Sequence, residues 1–139
     1  MIAYLKRIEM QACQWPGISA SPHRFGGRVF RLGRWEVGHV HNDGVVEIRL
    51  PRSLRDELLA QGLVEQHHTE PGYVMFRIRR ELDINHAVWL LRISYLRFVL
   101  KAVPDPAKRF DQESEGLRLT PRLKAALRRF LPVESQIAA

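Results

Sequence analysis

Apolar and polar residues alternate along the middle of the chain, a pattern that predicts β-strands with one face in the core. Five short runs of this kind occupy residues 28–32, 35–41, 45–50, 63–68 and 73–79. Gly33-Arg34 separates the first two runs as a two-residue reversal. Asn42-Asp43-Gly44 predicts a hairpin before the third run, because Asn, Asp and Gly tolerate positive φ. We therefore expect a five-stranded, mainly antiparallel sheet.

Helical spacing appears on both sides of these runs. A continuous apolar stripe predicts one long helix over 84–102, with Asp83 as its N-cap. Shorter N-terminal, middle and C-terminal helices are expected at 2–14, at 52–61 and from Thr120-Pro121 to about 131. The predicted fold class is α+β, with the sheet packed against the long helix. The apolar stripe of that helix should cover the side of the sheet that carries Val40, Val46 and Ile48.

The length of 139 residues corresponds to one domain. We expect a single α+β domain over 1–103, followed over 104–139 by a mobile polar linker and a basic C-terminal helix. The single cysteine, Cys13, excludes an internal disulfide, so a reducing cytoplasm is the default location. No apolar run approaches the roughly 18 residues of a membrane-spanning helix, and no membrane partner is expected.

The net charge of +7 and the pI near 10.3 allow nucleic acid as a partner. Many of the basic residues lie in the last third of the chain, where a solvated helix face accounts for most of them. Nucleic acid is therefore allowed as a partner but not favoured. A non-enzymatic nucleic-acid- or protein-binding module that uses this basic C-terminal region is the alternative function.

Histidines and carboxylates meet in the predicted strands. A three-residue loop at 42–44 places His39 opposite Glu47, and strand alternation puts His39 and His41 on one face. Trp35 and Val37 on the same strand and Arg49 on the next strand share this face, and a two-residue loop at 33–34 adds Phe30 and Leu32. The face is then apolar at one end and titratable at the other, which is typical of a small-molecule site.

The histidine pattern leaves three interpretations open. Two histidines at i and i+2 on a strand can converge on one metal ion, with His67, His68 or Glu47 as a third ligand. Equally, Glu47 can orient His39 in a metal-free acid/base pair. The histidines can also be structural or surface groups.

Four stretches resemble the bacterial luciferase-domain proteins: PHRFGGRVFRLGRWEVGHVHNDGVVEIRLP, RDELLAQGLVEQHH, GYVMFRI and AVWLLRISYLRF. This family takes its name from the fungal luciferases, whose C-terminal half is similar. The resemblance covers about residues 15–98, and its most specific part is the GHVH run followed by a later histidine. The fungal enzymes oxidise a hydroxy-pyrone luciferin with molecular oxygen, without an obvious organic cofactor. By position, His39 and His41 match the fungal HxH pair, and His67 matches the histidine after the short helix.

The resemblance implies a luciferase-like domain that binds a small aromatic or enolic molecule, and it favours a cofactor-independent oxygenase. The expected catalytic residues are His39, His41, His67 and Glu47. The expected substrate-binding residues are Arg24, Phe30, Trp35, Arg49 and His68, of which Arg49 or Arg24 would hold developing negative charge. No organic cofactor is expected, and a divalent metal, if bound, would be held by His39, His41 and His67.

Overall fold

The computed structural model describes residues 2–138, which contain a six-stranded antiparallel sheet. The strands are β1 (Ile18–Pro22), β2 (Arg28–Leu32), β3 (Trp35–Val40), β4 (Val45–Arg49), β5 (Glu65–Gln66) and β6 (Tyr73–Arg77). Their order across the sheet is β1-β2-β3-β4-β6-β5. Each pair of neighbouring strands is antiparallel.

Six helices lie in the described part of the chain. They are α1 (Ile2–Ala12), α2 (Arg52–Ala60), α3 (Asp83–Val99), α4 (Pro106–Gly116), α5 (Pro121–Arg128) and α6 (Val133–Ala138). The predicted α+β class and the long central helix are confirmed. None of the helices within residues 2–138 combines the length and apolar character needed to cross a membrane.

Two segments differ from the expectation. The sixth strand, β1, lies outside the five predicted runs and forms because Ile18 and Ala20 alternate with polar residues and pack against the core. The expected polar linker contains α4, which begins at Pro106. Asp105 is its N-cap, and the Asp105 side chain accepts a hydrogen bond from the Lys108 backbone N–H. Phe110 anchors α4 in the core and is fully buried. The sequence did not predict this helix, because a single large apolar residue does not produce a helical repeat of apolar positions.

Helix α3 covers one face of the sheet, as predicted. Val40, Val46 and Ile48 share the core cluster with Leu91. A Cβ atom added at Gly38 would lie only 2.7 Å from Leu91 Cδ2, so the helix packs directly onto the strand backbone there. The Ser94 hydroxyl donates a 2.6 Å hydrogen bond to the Val37 carbonyl and fixes α3 against β3.

A β-bulge in β3 changes the predicted side-chain faces. Arg31 pairs with Glu36, but Phe30 pairs with Gly38, so Val37 is the extra residue. One extra residue reverses the alternation on its far side. The predicted face is therefore wrong for four residues: Phe30 and Val37 are buried in the core, Leu32 packs against that core, and Trp35 stacks on Phe98 of α3 at 5.5 Å. Glu36 lies instead on the face of the sheet that carries His39, which we call the histidine face.

Candidate functional site

The histidine face lies on the side of the sheet opposite α3. One row of residues runs across it, with Val29 on β2, His39 on β3, Glu47 on β4 and Met75 on β6. The predicted pairing of His39 with Glu47 is confirmed. Val29 and Met75 are buried and flank the pair, so His39 is only 7% exposed.

Glu47 is in contact with three imidazoles. Its Oε2 atom lies 2.9 Å from His39 Nε2 and 3.3 Å from His67 Nε2, and its Oε1 atom lies 3.2 Å from His41 Nε2. His41 follows β3 directly, and its N–H donates to the Val45 carbonyl. His67 follows β5. We call Glu47 with these three histidines the histidine–carboxylate cluster.

His39 lies between two carboxylates, since its Nδ1 atom is 3.1 Å from Glu36 Oε2 and its Nε2 atom faces Glu47. Burial alone would lower the pKa of His39, but the hydrogen bonds and charges of Glu36 and Glu47 raise that pKa above the ordinary histidine value. The hydrogen bond from His39 lowers the pKa of Glu36. Burial acts to raise the pKa of Glu47, but the hydrogen bond and the nearby histidines lower it overall.

His67 is held in one tautomer by its own loop. Its Nδ1 atom accepts the backbone N–H groups of Thr69 and Glu70, at 3.2 and 3.0 Å. An acceptor nitrogen carries no proton, so the ring proton of the neutral imidazole lies on Nε2, the atom 3.3 Å from Glu47 Oε2. His67 therefore contacts Glu47 through its protonated ring nitrogen.

His23 joins the site from the loop between β1 and β2. Its ring stacks on His39 at 4.6 Å and meets His41 edge-on at 5.0 Å. Burial, together with the nearby His39 and His41, lowers the pKa of His23. Gly27 closes this loop at φ +91°, where a Cβ atom would lie 2.0 Å from the Val40 carbonyl oxygen, so the position requires glycine.

An open groove of about 420 Å³ adjoins the cluster. Its walls include His41, Glu47, His67, His68, Met75 and Arg77. Two larger cavities, of about 530 and 500 Å³, lie around His86, away from the cluster. Because the titratable groups converge beside the smaller groove, we take that groove as the candidate site.

The structure places the sequence-predicted residues in three groups. His39, His41, His67 and Glu47 lie together in the cluster, and His68 is exposed at the groove. Arg49 is exposed opposite Tyr73, two positions along β4 from Glu47, and Arg24 is exposed in the 23–27 loop beside Phe25. Phe30 and Trp35 lie on the α3 side of the sheet.

Three further side chains at this site escaped the sequence-based prediction: Glu36, His23 and Tyr73. Glu36 is three positions before His39, which in a regular strand would put it on the other face. His23 follows β1, the strand outside the five predicted runs. Tyr73, whose ring centre is 6.1 Å from that of His39, could have been found, since the pattern of β6 places it on the same strand face as Met75.

An antiparallel α+β domain with a histidine–carboxylate cluster on the face opposite its main helix is the class of protein that these observations define. The family model for the Luciferase domain matches residues 34–94, from the β2–β3 turn into α3. This match confirms the similarity to the luciferase-domain family, and the matched segment includes the whole cluster. No significant match was found among curated proteins or among solved structures.

Proposed function

We propose that this luciferase-like domain binds a small aromatic or enolic molecule in the groove beside His41 and His67, and takes up its acidic proton in the histidine–carboxylate cluster. The observation that carries the proposal is the contact of one carboxylate, Glu47, with three imidazoles. An imidazole beside a carboxylate can take up such a proton near neutral pH.

The members of the cluster are not equivalent in this proposal. His39 has a carboxylate on each ring nitrogen, an arrangement that favours its charged form and orients Glu47. His41 and His67 line the groove and are the imidazoles that a ligand can reach. Arg49 and His68, which are exposed on the same side, would hold negative charge that develops on the ligand.

The oxygenase chemistry rests on the resemblance to the fungal enzymes. An enolic O–H bond breaks and its proton passes to the cluster. The enolate carbon then forms a bond with dioxygen, so the ligand supplies two electrons and dioxygen is reduced to a peroxide bound to that carbon. Deprotonation makes the ligand electron-rich enough for this step, and no organic cofactor is required.

The test is oxygen consumption with a panel of hydroxypyrones and other enolisable aromatic compounds. We expect saturable oxygen uptake by the full chain. The rate should fall by about 100-fold or more in His41→Ala, because loss of an acid/base group typically lowers a rate by that factor. His86→Gln is the matched control, because His86 bonds the Leu63 carbonyl on the far side of the sheet. Equal uptake by the wild type and His41→Ala would contradict the proposal.

A further inference from the structure

We infer that His39, His41 and Glu47 form a binding site for a divalent first-row transition metal ion, with Glu36 as the outer partner of His39. One ligand atom from each of the three residues lies within 4.8 Å of the other two. Two imidazole nitrogens and one carboxylate oxygen are a donor set that such ions accept, and they leave further coordination positions open.

The spacing of the donor atoms allows them to bind one and the same metal ion. Ligands that bind one ion at about 2.1 Å lie roughly 3 Å apart when they are adjacent in its coordination shell. His39 Nε2 is 2.9 Å from Glu47 Oε2, and His41 Nε2 is 3.2 Å from Glu47 Oε1. Small movements would therefore allow the three groups to share an ion.

Glu36 supplies a feature that metal-binding histidines usually have. Such a histidine donates its second ring N–H to a carboxylate or carbonyl, which fixes the tautomer and leaves the other nitrogen free for the metal. Glu36 Oε2 lies 3.1 Å from His39 Nδ1 and fits this role. The bulge at Val37 is what brings Glu36 to the face of His39, and bulges are common beside functional sites.

Of the third ligands that the sequence left open, this set takes Glu47 and not His67. The Nε2 atom of His67 carries the ring proton, because Nδ1 accepts two backbone N–H groups. His67 could ligate through Nε2 only by giving up both of those bonds. His67 instead lies beside the Glu47 carboxylate, with Nε2 3.3 Å from Oε2, and is not needed as a ligand.

The inference deepens the proposed function and rests on it for the identity of the organic ligand. Two of the three metal ligands, His41 and Glu47, line the groove, so an enolic oxygen there could approach the ion. A cation beside that oxygen would withdraw charge and ease the loss of its proton. With an ion bound, His41 would serve as a ligand and the proton would leave to solvent instead of entering the cluster, so His41→Ala would then lower oxygen uptake through loss of the ion.

The test is a calorimetric titration of the chelator-treated full chain with Zn²⁺, repeated with Co²⁺ to record its absorption spectrum. We expect one ion per chain. Glu36→Gln should weaken affinity by about 10- to 100-fold, the usual cost of losing an outer partner, and Glu36→Asp should recover part of it. Glu47→Gln and His41→Asn should cost more than Glu36→Gln and change the Co²⁺ spectrum. Glu115→Gln, an exposed position on α4, is the matched control.

Circular dichroism and melting temperature identify variants that fail to fold, and Glu47→Gln and His41→Asn test the same set independently. Wild-type affinity in both folded variants would overturn the inference, as would a loss of binding in His67→Gln equal to that in His41→Asn. Zn²⁺ binding as expected without any oxygen uptake would uphold the metal site and contradict the proposed function. Oxygen uptake at the full rate by a chain that shows no specific metal binding would uphold the proposed function and contradict the metal site.

Discussion

At the scale of single residues, the site depends on how His39 is held between Glu36 and Glu47. In the metal-free chain, NMR titration should show His39 protonated to a higher pH than an ordinary histidine, and His23 deprotonated at a lower pH. Glu36→Gln should lower the pKa of His39, because it removes one of the two carboxylates that favour the charged ring. Titration of His39 below His23 would contradict this account.

The same groups link stability to pH. The raised pKa of His39 contributes stability that is fully present below the ordinary value of about 6.5 and is lost as the pH rises through the raised pKa. The lowered pKa values of Glu36 and Glu47 contribute stability that is present above about 4.5 and is lost as the pH falls through the lowered values.

Between about pH 4.5 and 6.5 both contributions are complete, and there we expect Glu36→Gln to lower the free energy of unfolding of the metal-free chain by about 1–2 kcal/mol. The loss should shrink on either side of that window. Urea denaturation of the wild type and of Glu36→Gln at several pH values measures this difference in the free energy of unfolding. A difference that does not depend on pH would show that the ion pair is absent.

At the scale of secondary-structure elements, the sequence predicted the strands well and their faces only in part. Apolar alternation and turn residues located β2, β3, β4 and β6 to within about two residues. The bulge at Val37 left no mark in that pattern, since Val37 and Trp35 are apolar whichever face they occupy. A slip of one residue moved Phe30 and Trp35 to the α3 side and brought Glu36 to the site. Gly38, inside a strand and without a side chain to pack, was the available sign of an irregularity.

Contact between α3 and β3 can be tested at Gly38. A Cβ atom there would lie 2.7 Å from Leu91 Cδ2 and 3.1 Å from Ile48 Cγ1, so Gly38→Ala should destabilise the fold by about 1–3 kcal/mol. Gly116→Ala is the matched control, because a Cβ atom at the end of α4 meets nothing within 4 Å, and we expect no loss there. Chemical denaturation compares the two variants. Equal stability would mean that α3 does not pack this closely on β3.

At the scale of the whole molecule, the C-terminal helices share the core of the sheet domain. Phe110, Leu123, Leu127 and Leu131 are buried in the same cluster as Leu91. Phe110→Ala should therefore cost about 3–5 kcal/mol in a single cooperative unfolding transition. A cost below about 1 kcal/mol, or a separate transition for the tail, would instead support the expected division at residue 104.

The alternative function, nucleic-acid or protein binding by the basic C-terminal region, stays a prediction. Several of the basic side chains there pair with carboxylates: Arg92 and Arg109 with Glu113, and Arg122 with Glu57. If the region binds nucleic acid, its affinity should fall steeply as the salt concentration rises. The substitutions Lys124→Glu, Arg128→Glu and Arg129→Glu should make that dependence on salt less steep. Fluorescence anisotropy with a labelled single strand measures both. Affinity that ignores salt and these charge reversals would remove the alternative.

The central claim is that a small enolic ligand binds in the groove beside the histidine–carboxylate cluster and gives its proton to that cluster, whose three imidazoles meet at Glu47. Calorimetric titration of a hydroxypyrone into the wild type and Glu47→Gln, with Glu115→Gln as the control, tests it most directly. We expect saturable binding to the wild type and the control, and affinity at least about tenfold lower in Glu47→Gln, since a charged hydrogen-bonding group is lost. Binding to Glu47→Gln that equals binding to the wild type would contradict the claim.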